Sequence, residues 1–223
     1  ARAVDAGGAE RSWSDLPLDY YAPGGGFLYA RTGWNPQATV TNFQLGVPAA
    51  VGHRHLDAGT FQIWRNRQWL TRETVGYSDS IAGYGGSIVD VSHPVAHNSL
   101  LFNGLGQANA YRKGPPRIKR LESRTDYTYA SVDLSDAYRA VNTPQPQRDD
   151  NPYASHVERE FVFVRALETL VIMDRMESSA DDVAKTFLVH FEQAPAIQGT
   201  NTVVGVMGDQ ALRLTTLLPA APS

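Results

Sequence analysis

The chain has 223 residues, 42% hydrophobic and 19% charged, enough to bury a sizeable core and within the range that one all-β domain can occupy. A formal net charge of -3 excludes a globally basic nucleic-acid binder, and no uninterrupted apolar run approaches the roughly 20 residues of a membrane helix. With no cysteine there are no disulfides, thiol nucleophiles or sulfur-ligated metal sites, which leaves histidine and carboxylate as the strong metal ligands.

Residues 1–26 are rich in Gly, Ala, Asp and Pro and end in Pro23-Gly24-Gly25-Gly26, which predicts an entry linker with no core of its own and order beginning at Phe27. From there short runs of β-branched and aromatic residues recur between turn signals, at 27–31, 39–45, 60–64 and 99–103. The second half repeats the pattern at 127–133, 158–165, 169–175, 184–193, 202–207 and 211–217, with Leu167-Glu168-Thr169 as a hairpin turn. Helix is expected only near 134–141 and 180–183, and the polar segment 142–155, with three prolines, reads as a long loop at a site. The whole predicts an all-β fold, a large antiparallel stacked β-sandwich of supersandwich type with few short helices. Its sandwich domain would occupy 27–223, after the linker.

Chemistry concentrates in Gly52-His53-Arg54-His55-Leu56-Asp57-Ala58-Gly59-Thr60-Phe61, where two of the six histidines and a carboxylate fall within five residues. If this stretch is extended, His53, His55 and Asp57 share one face and Arg54 points opposite. Two imidazoles on one face can share a metal, or divide metal binding and proton transfer between them. A His-x-His pair is equally compatible with rings hydrogen-bonded at a strand rim. A second local feature is the basic stretch from Arg112 to Arg124, with six cations and one acid. Guanidinium groups there, Arg112, Arg117 and Arg120 foremost, suit carboxylate or sulfate, while the same residues also suit an edge strand protected against pairing.

Several ordered motifs extend the pattern: Arg31-Thr32-Gly33-Trp34, His53-x-His55-x-Asp57-Ala58-Gly59-Thr60-Phe61, Trp69-Leu70 with Glu73 and Gly76-Tyr77, and His97-Asn98-Ser99-Leu100-Leu101-Phe102-Asn103-Gly104 with Gln107. With Val171-Ile172-Met173-Asp174-Arg175, they resemble the C-terminal β domain of heparinase II/III-like polysaccharide lyases over roughly 25–219. The resemblance implies a stacked β-sandwich, a bound divalent metal, usually zinc, and cleavage of acidic polysaccharide by β-elimination. It matches His55 and His97 to metal-binding histidines, puts Glu73 where the family usually has an aspartate ligand, and matches His53 to the histidine that faces substrate. Tyr84, in the Gly-rich segment Ala82-Gly83-Tyr84-Gly85-Gly86, falls where some relatives place a catalytic tyrosine, while an aromatic there also suits the stabilising of a flexible loop. Asp57 competes with Glu73 as the carboxylate ligand, or orients a histidine as an outer partner.

The resemblance further implies an N-terminal α/α-toroid of the same protein as the other wall of the cleft, a periplasmic or secreted bacterial location, and allows a homodimer. The chain would then be the metal-bearing half, folding and binding zinc but turning over little polysaccharide alone. The competing class is a carbohydrate-binding or scaffolding β-sandwich whose metal is structural. A small cupin-like metal enzyme is disfavoured because the motifs extend well beyond the ligands. Of the remaining histidines, His93 and His190 read as structural, and His156 as a residue bordering the long loop. Trp34, Trp64 and Trp69 could stack on sugars, although aromatics in strands usually pack.

Overall fold

Period-two alternation sets the architecture, because each strand with one apolar row must lay that row against another sheet. The computed structural model describes residues 3–4, 10–46, 55–73, 81–82, 88–89, 91–108, 117–139 and 151–219. β1 (Ala3–Val4) and β2 (Glu10–Arg11) pair as a short ribbon. β3 (Asp19–Ala22), β4 (Phe27–Arg31), β5 (Thr39–Gln44), β6 (Phe61–Arg65) and β7 (Gln68–Thr71) form one antiparallel sheet in chain order. β8 (Ile81–Ala82) and β9 (Ile88–Val89) make a second ribbon, followed by β10 (Leu100–Phe102). β11 (Arg117–Ser123), β12 (Tyr127–Asp133), β13 (Ala154–Val164) and β14 (Thr169–Ser178) build the second large sheet, again in chain order. β15 (Lys185–Phe187) returns to pair with β10, and β16 (Ala196–Gln198), β17 (Thr202–Met207) and β18 (Gln210–Thr215) close the described part. Helix among the described residues is limited to α1 (Ser135–Tyr138) and three single turns of 3-10 helix. This is the expected antiparallel all-β sandwich.

The inner rows of the two large sheets meet as one core. Leu28 and Ala30 of β4, Phe43 of β5 and Phe61 and Ile63 of β6 face Ala130 and Val132 of β12 and Phe161 and Phe163 of β13. Phe43 and Phe161 pack as a tilted pair with ring centroids 4.5 Å apart, and Phe61 meets Phe161 edge-on at 6.4 Å. On β13 the inward row is Val157, Arg159, Phe161 and Phe163, all fully buried, so a guanidinium sits in a row of otherwise apolar side chains.

Several expectations are corrected. Order begins before Phe27: β3 pairs with β4, because Asp19 accepts from Ser123 Oγ, Thr128 Oγ1 and Arg165 Nη2, which ties this edge strand to the opposite sheet. The basic stretch, by contrast, follows its edge-strand reading: it contains β11 at a sheet edge, with Arg117, Lys119 and Arg120 turned to acids. β7 and β16 are further strands that the sequence reading passed over. The run 184–193 is a strand only over Lys185–Phe187. Residues 180–183 are bend and turn, too short to offset the cost of a helix nucleus, and the helix near 134–141 shrinks to α1. β13 begins at Ala154, inside the segment read as loop, and residues 142–150 of that segment lie outside the described residues.

Candidate metal centre

The segment 55–60 is not paired in a sheet, yet it keeps strand-like alternation. Leu56 and Ala58 turn into the core, while His55 and Asp57 occupy the other side. Leu56 N–H donates to Ser92 O at 2.8 Å, and Gln107 clamps Ala58 through both backbone groups, donating to its carbonyl at 2.6 Å and accepting from its N–H at 3.1 Å. Gly59 then reverses the chain with φ +79° and donates to Gln44 O. A Cβ there would lie 2.5 Å from Leu134 Cδ1, so both backbone and space require glycine.

Glu73 follows β7, and His97 caps the 3-10 turn Pro94–Ala96 just ahead of β10. These two segments and the Asp57 turn meet, with donor atoms of Asp57, Glu73 and His97 all within 4.8 Å of one another. His97 Nδ1 lies 3.2 Å from Glu73 Oε2, and Asn98 N–H donates to Glu73 Oε1 at 2.5 Å. His97 is 1% exposed and its Nε2 is buried with no hydrogen-bond partner among the described residues. Leaving a polar atom unpaired costs about 1–3 kcal/mol, and an imidazole nitrogen in that state is available to a ligand. The His55 ring stands beside this group, its centroid 5.1 Å from that of His97.

Of the residues singled out from sequence, the fold therefore brings Glu73 and His97 together, sets His55 next to them, and adds Asp57 as a second converging carboxylate. His53, Tyr84 and Arg112 lie outside the described residues. Arg117 pairs with Asp133 at 2.7 Å, and Arg120 with Glu122 at 2.5 Å, at the outer edge formed by β11. His93 accepts from Val95 N–H in the 3-10 turn, His190 donates its backbone N–H to Asn98 Oδ1, and His156 lies 3.4 Å from Glu158.

Burial governs the electrostatics of the cluster. Burial pushes the Glu73 carboxyl up to about 8, against the opposing pull of the Asn98 N–H and the Arg159 charge. Burial likewise raises Asp57 to about 6, with His97 opposing and the like charge of Glu73 adding. His97 is pushed below the ordinary imidazole range by burial, partly offset by Asp57. A divalent ion would reverse the situation of both acids, displacing protons and leaving each carboxylate as a ligand. Nitrogen and oxygen donors without sulfur suit zinc or another borderline to hard divalent ion. The donor set and the orphaned Nε2 thus fit a metal.

Around this cluster runs a buried network that sequence reasoning missed. Arg159 Nη1 donates to Gly59 O at 2.7 Å and to Asn98 O at 2.9 Å, while Nε and Nη2 grip Asp174 at 2.6 and 2.9 Å. Arg159 and Asp174 are direct cross-strand partners on β13 and β14. The available signal was a charge at an inward position of the alternating run Val157-Glu158-Arg159-Glu160-Phe161-Val162-Phe163.

No protein-family model matches the chain, and no curated protein sequence matches it. The large antiparallel β-sandwich is nevertheless a fold found among solved structures. The heparinase III BT4657 gene product matches at TM-score 0.64 and 17% identity, over 94% of this chain and 30% of that one. The heparan sulfate lyase HepC from Pedobacter heparinus matches at TM-score 0.63 and 17% identity, over 91% of this chain and 29% of its own. A further heparinase III gives TM-score 0.55 at 16% identity, over 91% of this chain and 29% of that one. The chain therefore has the fold of a part of these enzymes and spans about 30% of the length of the first of them. None of its described helices is long and apolar enough to cross a membrane.

Proposed function

We propose that the chain is the metal-bearing portion of a polysaccharide lyase that cleaves uronic-acid-containing acidic polysaccharide by β-elimination. The observation that carries this reading is the convergence of Asp57, Glu73 and His97, with a buried, unpartnered Nε2, within a fold shared with heparan sulfate lyases. His55, Glu73, His97 and Asp57 are the residues that would hold the ion. When bound, the ion supplies a fixed positive charge and orders three chain segments around it.

Elimination removes the proton at C5 of the uronic acid; the C5–H electron pair becomes the C4=C5 double bond as the C4–O bond breaks, and a proton goes to the departing glycosidic oxygen. The reaction needs a base, a stabiliser for the carboxylate-bearing carbon and an acid. His53 is assigned the substrate carboxylate and Tyr84 the proton transfer. Arg112, Arg117 and Arg120 would hold the flanking anionic sugars. The other wall of the cleft belongs to an N-terminal α/α-toroid of the same protein, outside this chain, and the location is periplasmic or secreted.

The test uses the intact two-domain lyase. His53→Gln should abolish the ultraviolet absorbance of unsaturated product from uronic-acid polymers while zinc content and melting temperature stay at wild-type values. Retained turnover would sink the assignment. A second reading, a sugar-binding or scaffolding sandwich with a purely structural metal, has in its favour the depth of the cluster, since Glu73 is 5% and His97 1% exposed. It predicts that no uronic-acid polymer is cleaved by the intact protein and that chelation lowers the melting temperature alone.

A further inference from the structure

The three donor-bearing segments are far apart in sequence, and two of them report to the same side chain. Arg159 Nη1 reaches Gly59 O, in the turn begun by Asp57, and Asn98 O, in the residue after His97. Asn98 in turn holds Glu73 through its backbone N–H. The guanidinium is steered by Asp174, which takes Nε and Nη2 in a bidentate grip across the β13–β14 ladder. It also lies over the Phe187 ring, with Cζ 5.0 Å from the centroid.

We propose that Arg159, held by Asp174, is the positioning residue of the metal centre, fixing the distance between the Asp57 turn and the His97–Asn98 segment so that the donors converge. The inference rests on the metal reading given above. A planar fork with five N–H donors can serve two carbonyls and a carboxylate at once, whereas an ammonium on a flexible stem cannot reach all of them in one geometry. The location argues the same way: a charge in the inward row Val157-x-Arg159-x-Phe161-x-Phe163 opposes simple core packing, and such departures from local rules mark functional sites. Removing an outer partner of this kind typically weakens metal binding by about 10–100-fold.

The experiment compares Arg159→Lys with Arg165→Lys. Arg165 is a second buried arginine, bonded to Arg31 O, Arg124 O and Asp19, remote in its contacts from the cluster. Zinc affinity is measured on the purified chain by competition with a chromophoric chelator, melting temperature by circular dichroism, and ligand geometry from the visible spectrum of the cobalt(II) form. Arg159→Lys should weaken zinc binding at least about tenfold and alter the cobalt bands, while Arg165→Lys lowers the melting temperature with affinity and bands unchanged. Should Arg159→Lys not fold, Asp174→Asn, which keeps shape but loosens the grip on the guanidinium, is expected to shift affinity and bands in the same direction. Wild-type affinity in a folded Arg159→Lys or Asp174→Asn chain, or equal losses in Arg165→Lys, would overturn the positioning role. A wild-type chain that binds no divalent ion would instead overturn the metal reading and the inference with it.

Discussion

Asn98 engages every polar group it possesses. Its N–H donates to Glu73, its carbonyl accepts from Arg159, its Nδ2 donates to Phe61 O at 2.6 Å and its Oδ1 accepts from His190 N–H at 2.6 Å. It is 0% exposed, so no water can replace a lost partner at the surface. Asn98→Ala leaves the Phe61 carbonyl and the His190 N–H without their partners and should cost about 1–3 kcal/mol in denaturant unfolding. A variant as stable as wild type would mean that those bonds contribute nothing net. Glu73→Gln separates binding from folding at the neighbouring position. Glutamine keeps an acceptor for the Asn98 N–H, and with its pKa pushed up to about 8 Glu73 is itself mostly protonated near neutrality. The metal-free variant should therefore unfold near the wild-type midpoint at pH 6.5, while zinc affinity drops at least about tenfold. An unchanged affinity would remove Glu73 from the ligand set.

β13 is the element on which both layers depend. Its inward row carries Phe161 against Phe43 and Phe61, and two positions earlier Arg159 against the cluster, so one strand joins core packing to the site. Phe161→Ala should cost about 3–5 kcal/mol, read as a shifted urea midpoint with an unchanged slope, because the surrounding sheets cannot collapse into the space. A cost under about 1 kcal/mol would contradict the rigid packing. The element scale also shows what a sequence makes legible. Runs with β-branched alternation declare themselves, and β12 and β17 begin and end where the pattern does. β11, with Arg117, Lys119 and Arg120, and β3, anchored by Asp19, do not, because what holds them is a partner far along the chain: Asp133 for Arg117, Glu158 for Lys119, Arg165 for Asp19. At the site, the resemblance carried by the ordered motifs pointed to His55, Glu73 and His97, and the alternation of 53–57 set Asp57 on the His55 face. That both carboxylates converge, rather than one in place of the other, depends on the Gly59 reversal and the Gln107 clamp, and neither leaves a periodic trace.

Across the whole molecule, the cluster joins the end of the β3–β7 sheet, through Glu73, to the turn before β6 and the turn before β10, and the Arg159–Asp174 pair joins all of these to the opposite sheet. A cation bound there would act as a cross-link between segments brought together only in the folded state, so its binding energy adds to folding stability. Its absence should be visible in the pH dependence. Glu73 has a folded pKa of about 8, above its ordinary value of 4.5, so the unfolded chain releases this proton first and stability declines as pH rises from 4.5 toward 8. Asp57 acts in the same sense between 3.8 and about 6. His97 acts oppositely, since its depressed folded value makes stability rise with pH until the ordinary value of 6.5 is passed. Above pH 6.5 Glu73 dominates the titration of the three, the residual His97 and Asp57 effects being of opposite sign, and the chelator-treated chain should lose roughly 1–2 kcal/mol between pH 6.5 and 8. With saturating zinc that decline should vanish over the same interval, because Glu73 is deprotonated both in the metal-bound state and in the unfolded chain, so unfolding exchanges no proton there. Denaturant titrations at pH 6.5, 7.2 and 8.0, with and without zinc, read both slopes; parallel curves in the two series would show that no ion binds at Glu73.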